Sequence, residues 1–142
     1  MSEVKKAAFS FKGYQVRSFS YAEPVNPKID SLSIDFDPSG TFSKSTGIFE
    51  VKFNFKAFLT EKNNNYDVVT ASLFTEFQFE ANLNLGDIPP YFYRNSIAIV
   101  FPYLRAFISN LTLQANVKPI ILPILNLTDL EEPLRKNTVE VI

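Results

Sequence analysis

The chain has 142 residues, 15 of them phenylalanine, a net charge of −1, and neither cysteine nor histidine. Without those two residue types there is no disulfide, thiolate nucleophile, Ser-His-Asp triad or imidazole ligand, so an enzyme would rest on carboxylates, Lys, Arg, Tyr or Ser. The balanced charge supplies no basic field for nucleic acid, and the length suits one core, read as a single domain spanning 1–142 with no metal or cofactor.

The opening MSEVKKAAFSFKGY carries lysines but no apolar run of the kind a secretory signal needs, which predicts a cytoplasmic protein. The sequons at Asn110 and Asn126 are then coincidental. Residues 7–22 read as a first strand whose alternation slips. Phe9 and Phe11 share a face, the apolar phase moves to Tyr14 and Val16 after Gly13, and it moves again to Phe19 and Tyr21. A period-two strand does this only through a bulge, and Gly13 is the cheapest place for one. Glu23-Pro24-Val25-Asn26-Pro27 then breaks the strand.

Leu32, Ile34 and Phe36 alternate with Ser33, Asp35 and Asp37 as a short half-buried strand. Asp37-Pro38-Ser39-Gly40 carries strong turn chemistry and predicts the next reversal. Phe49, Val51, Phe53, Phe55, Ala57 and Leu59 alternate with polar residues as a third strand. Glu61 to Asn65 reads as a hairpin loop. Val69, Ala71, Leu73, Phe77 and Phe79 mark the inner face of a fourth strand. Acids on the outer faces (Asp35, Asp37, Glu76, Glu80) read as solvated rather than as a paired-carboxylate site. Four strands joined by short turns predict an antiparallel meander with one oily face.

Residues 82–94 read as a loop, with Asn95 or Ser96 as helix cap. Tyr91, Phe92 and Tyr93 within it suit interface packing better than base stacking. Ile97, Phe101, Leu104, Ile108 and Leu111 then recur at helical spacing. Val100, Phe107 and Leu113 widen the stripe, and Pro102, Arg105, Ser109 and Thr112 fall opposite. Arg105 and Asn110 inside an apolar span shorter than about 20 residues favour a buried helix over a membrane span. Pro119 and Pro123 bar helix in the next segment, which is nonetheless rich in Ile and Leu from Ile120 to Leu130. Such an arm either packs on its own sheet or lines an open groove. The predicted class is α+β: a four-stranded antiparallel β-meander, a long helix on one face and an extended apolar C-terminal arm.

This order, together with Phe101-Pro102-Tyr103-Leu104-Arg105, Ile121-Leu122-Pro123-Ile124 with Asn126, and Ser20-Tyr21-Ala22-Glu23-Pro24, resembles the SecB family of protein-export chaperones over residues 8–130. In that family a phenylalanine-proline-tyrosine run is followed by a small residue and arginine, and Leu104 replaces the small residue. The resemblance implies a homo-tetramer built as a dimer of dimers, or a dimer. It also implies a holdase that keeps unfolded polypeptides on apolar grooves without ATP. Carried over, the client-binding groove is Leu32, Ile34, Phe36, Ile120, Leu122, Ile124 and Leu127, and these arm residues should be partly exposed. The oligomer interface is Val100, Phe101, Tyr103 and Phe107.

Two departures qualify the resemblance. Glu131-Glu132-Pro133 predicts a second helix that is very short or missing. At the outer-sheet positions where relatives dock the translocase motor ATPase (Ser18, Ala22–Glu23, Thr70–Ser72), only Glu23 is acidic. Two other functions stand beside a general holdase in protein export: a dedicated chaperone for a single partner such as an antitoxin, and a small-molecule-binding protein or enzyme using a cavity between sheet and arm.

Overall fold

The computed structural model describes residues 8–23, 32–122 and 126–142. Its frame is a five-stranded sheet in the order β1-β4-β3-β2-β5: Ser10–Tyr21 (β1), Ser33–Ser43 (β2), Ile48–Glu61 (β3), Asn64–Gln78 (β4) and Thr138–Val141 (β5). The mixed class with one long helix is as expected, but the sheet is not a simple meander. Strands β2, β3 and β4 are consecutive neighbours, whereas β1 lies beside β4, so the chain crosses from one side of the sheet to the other between β1 and β2. That crossing includes residues 24–31, where the expected Pro24–Pro27 break lies outside the described residues, as do Ala7, Pro123, Ile124 and Leu125.

Alternation makes β3 and β4, broken by one register slip between Ala57 and Phe58, near which the consecutive Val68 and Val69 are both buried. Phe49, Val51, Phe53, Phe55 and Ala57 are buried on one, and Val69, Ala71, Leu73 and Phe77 on the other, with Thr75 as a buried polar member of the same row. Their hairpin turns through Lys62 and Asn63, both at positive φ, the geometry of a tight two-residue connection. Strand β1 slips register against β4 twice, between Phe11 and Gly13 and between Val16 and Ser18. Gly13 sits at φ 137°, which a side chain rarely adopts. The slips return Tyr14, Val16, Phe19 and Tyr21 to positions opposite Thr75, Leu73, Ala71 and Val69, on the inner face.

The expected turn at Asp37–Gly40 does not exist. Strand β2 runs straight through it to Ser43, and the chain reverses at Lys44–Thr46. Gly40 donates its N–H to Asn137 O at 3.2 Å, so its backbone faces the β5 side. Pro38, two residues back, turns its missing N–H to that same side, beyond the four-residue β5, where no ladder bond is lost. Gly40 is a contact glycine rather than a turn glycine. A Cβ there would lie 2.7 Å from both Phe49 Cε1 and Thr138 Oγ1.

The long helix α1 spans Pro90–Gln114, starting before the expected cap at Asn95 or Ser96. Pro89-Pro90 falls in the stretch read from sequence as a loop, yet proline is suited to a first helical turn, whose N–H groups have no partner anyway. The earlier start makes Phe92 and Tyr93 core residues, at 0% and 3% exposure, rather than interface residues. The Phe92 ring lies 4.6 to 5.7 Å from those of Phe9, Phe49, Phe77, Phe79 and Tyr93. The length and mean hydropathy of α1 would suit a membrane span, but Ile97, Val100, Phe101, Leu104 and Ile108 pack into the core under the sheet. Leu113, expected in that stripe, is 57% exposed, while Thr112, expected opposite it, is fully buried. After an irregular arm and a 3-10 turn at Leu127–Leu130, helix α2 (Glu131–Lys136) is as short as predicted. Its Pro133 falls in the first turn, and β5 follows as a strand that the sequence reading missed.

Candidate functional site

Leu32, Ile34 and Phe36 lie in a row at the end of β2 away from β5, each half-buried and packed against the core. Phe36 is the anchor of that row. Its ring lies 5.3 Å from Phe55 and 5.7 Å from both Phe53 and Phe101, so it touches β3 and α1 together. Leu127 and Leu130, in the 3-10 turn, are half-buried against the same core. The turn contacts α1 and α2, and α2 contacts β2. Arg94 on α1 pairs with Glu131 at the start of α2 at 3.3 Å, and the Arg135 guanidinium lies 5.0 Å over the Tyr93 ring. Burial raises the pKa of that tyrosine above its ordinary value, against the opposing charge of Arg135.

The arm residues do not all behave as groove lining. Ile120 is 6% exposed and Leu122 fully buried, whereas Ile121 between them is 70% exposed. The expected exposure of Ile120 and Leu122 is thus not met in this chain, because both side chains enter the core. Polar residues of α1 hold them there. Ser109 Oγ donates to the Ile120 carbonyl at 3.1 Å, and the Ile120 N–H donates to Thr112 Oγ1 at 2.9 Å. Thr112 also faces the carbonyls of Ile108 and Ser109, at 3.0 and 3.1 Å, so its burial is fully bonded. The sequence reading missed this clamp, because two hydroxyls on a polar helix stripe look solvated until a chain lies over them.

Among the expected interface residues, Val100 and Phe101 are enclosed by the chain's own sheet, at 0% and 7% exposure, and have no surface to offer a partner. Tyr103 and Phe107 do have surface. Tyr103 stacks at 4.3 Å on Tyr14 and 5.6 Å on Phe11, and Phe107 meets Phe19 edge-on at 5.3 Å. Tyr14, Phe19 and Tyr103 remain 46%, 57% and 36% exposed, a strip of aromatic surface shared by α1 and edge strand β1. Tyr14 and Phe19 were signalled in sequence only by the phase slips.

The opposite face of the sheet is polar. One open depression there, of about 280 Å³, is lined by Ser18, Asp35, Asp37, Asn54, Lys56 and their neighbours. Beside it, Arg17 lies 3.8 Å over the Phe74 ring and pairs with Glu50 at 3.2 Å.

No protein-family model matches this chain. The uncharacterized protein MJ0357 of Methanocaldococcus jannaschii is 48% identical over 48 residues, a match spanning 31% of this chain and 31% of that protein. A Streptococcus agalactiae protein of unknown function aligns over 83% of this chain and 98% of its own, at 9% identity and a TM-score of 0.48. Mycobacterium tuberculosis Rv1957, a SecB-like chaperone solved in complex with a ChAD peptide from the Rv1956 HigA1 antitoxin, aligns over 83% of this chain and 91% of its own. The TM-score is 0.66 at 17% identity. The chain has a SecB-like fold.

On this SecB-like fold the C-terminal end is distinctive. The second helix is the six-residue α2, short as expected, and it is followed by β5, which pairs parallel to β2 from Gly40 to Ser43. The outer-sheet residues Ser18, Thr70 and Ser72 all stand on the polar face, Ser18 opposite Ser72 in the ladder.

Proposed function

We propose that this chain is an ATP-independent chaperone, a holdase that keeps unfolded or preprotein polypeptides extended on apolar surface beside β2. The row Leu32, Ile34 and Phe36 carries the reading: apolar side chains continuous with the core and only half covered, on a fold shared with a SecB-like chaperone. Burying such surface gains about 25 cal/mol per Å² without directional demands, which suits clients of varied sequence. Leu127 completes the lining among the described residues, and the resemblance assigns Ile124 to it. Ile120 and Leu122 join it only when the arm moves. The protein works as a single 1–142 domain in the cytoplasm, without cofactor, as a homo-tetramer or dimer closed through Tyr103, Phe107, Tyr14 and Phe19.

Suppression of aggregation of a chemically denatured test protein, at near-stoichiometric ratio and without ATP, is the expected result. No suppression at any ratio sinks the reading. A dedicated chaperone for one partner is the second reading, favoured by the antitoxin peptide in the Rv1957 complex. It predicts tight binding of one cognate segment and poor protection of unrelated clients. Docking to a translocase motor ATPase has little support, since Glu23 is the single acid among Ser18, Ala22–Glu23 and Thr70–Ser72. A small-molecule site between sheet and arm is disfavoured because Ile120 and Leu122 fill that space.

A further inference from the structure

Both backbone groups of Ile120 are bonded by side chains of α1, the carbonyl by Ser109 and the N–H by Thr112. An edge strand offers an incoming chain the same pair of bonds. Here two hydroxyls three residues apart, on one helix face, supply them. The side chains of Ile120, Ile121 and Leu122 point in, out and in, at 6%, 70% and 0% exposure, which is the period of an extended segment. Helix and sheet thus form a receptor for a short extended apolar peptide. It reads the backbone at one residue and apolar side chains at two, and ignores the one between.

The occupant is held by little else on its N-terminal side. Residues 115–119 are irregular and turn through Asn116 at φ 61°, and Val117 N–H to Thr112 O, at 3.2 Å, is the backbone bond nearest the clamp among the described residues. Departure of the arm leaves no orphaned proton on Thr112, whose hydroxyl already faces the carbonyls of its own helix.

Resting on the chaperone reading above, we propose that Ile120–Leu122 is a self-supplied pseudo-ligand: an extended apolar client segment displaces it and takes over the bonds to Ser109 and Thr112. A polypeptide is the fitting occupant because a polypeptide already sits there, bonded through its backbone. The arm then sets client affinity, since a client binds only the fraction of molecules whose site is vacant.

The test uses a labelled peptide with the sequence of Val117–Leu122, VKPIIL, and a denatured test client. Leu122→Ala loosens the self-bound segment and leaves the hydroxyls intact, so it should bind the peptide at least about ten-fold tighter than wild type. Adding Ser109→Ala and Thr112→Val to that variant should reverse the gain. Should Leu122→Ala be poorly folded, amide exchange in the wild type provides the second readout. Saturating client should strip protection from the Ile120 amide. Wild type that protects the client while Leu122→Ala shows no gain, or while Ile120 stays protected in the complex, overturns the pseudo-ligand alone. Failure of every variant to hold peptide or client overturns the chaperone reading together with it.

Discussion

Leu122→Ala tests how the arm is packed. The side chain has no exposed surface, and residues 118–122 have no regular secondary structure, so its burial fixes the arm together with the bonds from Ser109 and Thr112. Truncating a fully buried leucine removes the transfer energy of the lost methyl groups and leaves a cavity, together about 2–5 kcal/mol. Chains of this size are stable by about 5–15 kcal/mol, and each kcal/mol moves the melting temperature by about 2–4 °C, so a drop of about 4–20 °C is expected. Ile121→Ala is the internal control. That side chain, adjacent to Leu122 in sequence, is 70% exposed, and its truncation should change stability by no more than about 0.5 kcal/mol. Urea unfolding followed by circular dichroism, at one fixed protein concentration because the stability of any oligomer depends on it, gives both values. Equal stability of Leu122→Ala and wild type would refute the packed arm, and a larger loss at Ile121 would invert the assigned facing.

Gly40→Ala should cost about 1–3 kcal/mol, since its Cβ would sit 2.7 Å from Phe49 and Thr138, and amide exchange should show β5 loosened first. Replacing both Phe19 and Tyr103 by Asp should reduce the mass seen by light scattering at micromolar concentration, while the melting curve of the subunit stays cooperative. Tyr93 should ionise above the ordinary tyrosine range in an ultraviolet titration, because burial favours its neutral form. Its folded pKa is raised, so it contributes no pH dependence below about 10, and stability falls as pH climbs from there through the folded value. Tyr93→Phe should remove that part of the alkaline slope, and an unchanged slope would assign it elsewhere.

Much of the fold was legible because β3 and β4 bury one face each and alternate over most of their length, and because the stripe from Ile97 to Ile108 keeps helical spacing. What misled was local chemistry overruled by tertiary position. Asp-Pro-Ser-Gly has every property of a turn, but Pro38 faces the side beyond β5 and Gly40 is needed where Phe49 and Thr138 approach. Pro89-Pro90 starts a helix instead of stopping one. Thr112 looks solvated because its partner, the Ile120 N–H, is made by chain folding and not by helix periodicity. Strand order was beyond reach, since β1 beside β4 depends on the crossing and not on any residue of either strand. In the site, apolar pattern identified Leu32, Ile34 and Phe36, but it could not tell Ile121, which faces out, from Ile120 and Leu122, which face in.

The two sides of the sheet have unequal consequences for growth of an assembly. Beyond β2, the short β5 and the proline at position 38 give an added strand little regular backbone to copy. Strand β1 is twelve residues long and borders the sheet on the other side, although its two slips twist it away from flatness. Copies that pair through β1 meet in an isologous contact about a two-fold axis, which is used up once two chains have met. A head-to-tail contact would need two competent edges and would propagate into fibres. On the chaperone reading proposed above, that asymmetry has a use, because backbone chemistry that accepts a foreign strand would otherwise template the chain's own polymerisation.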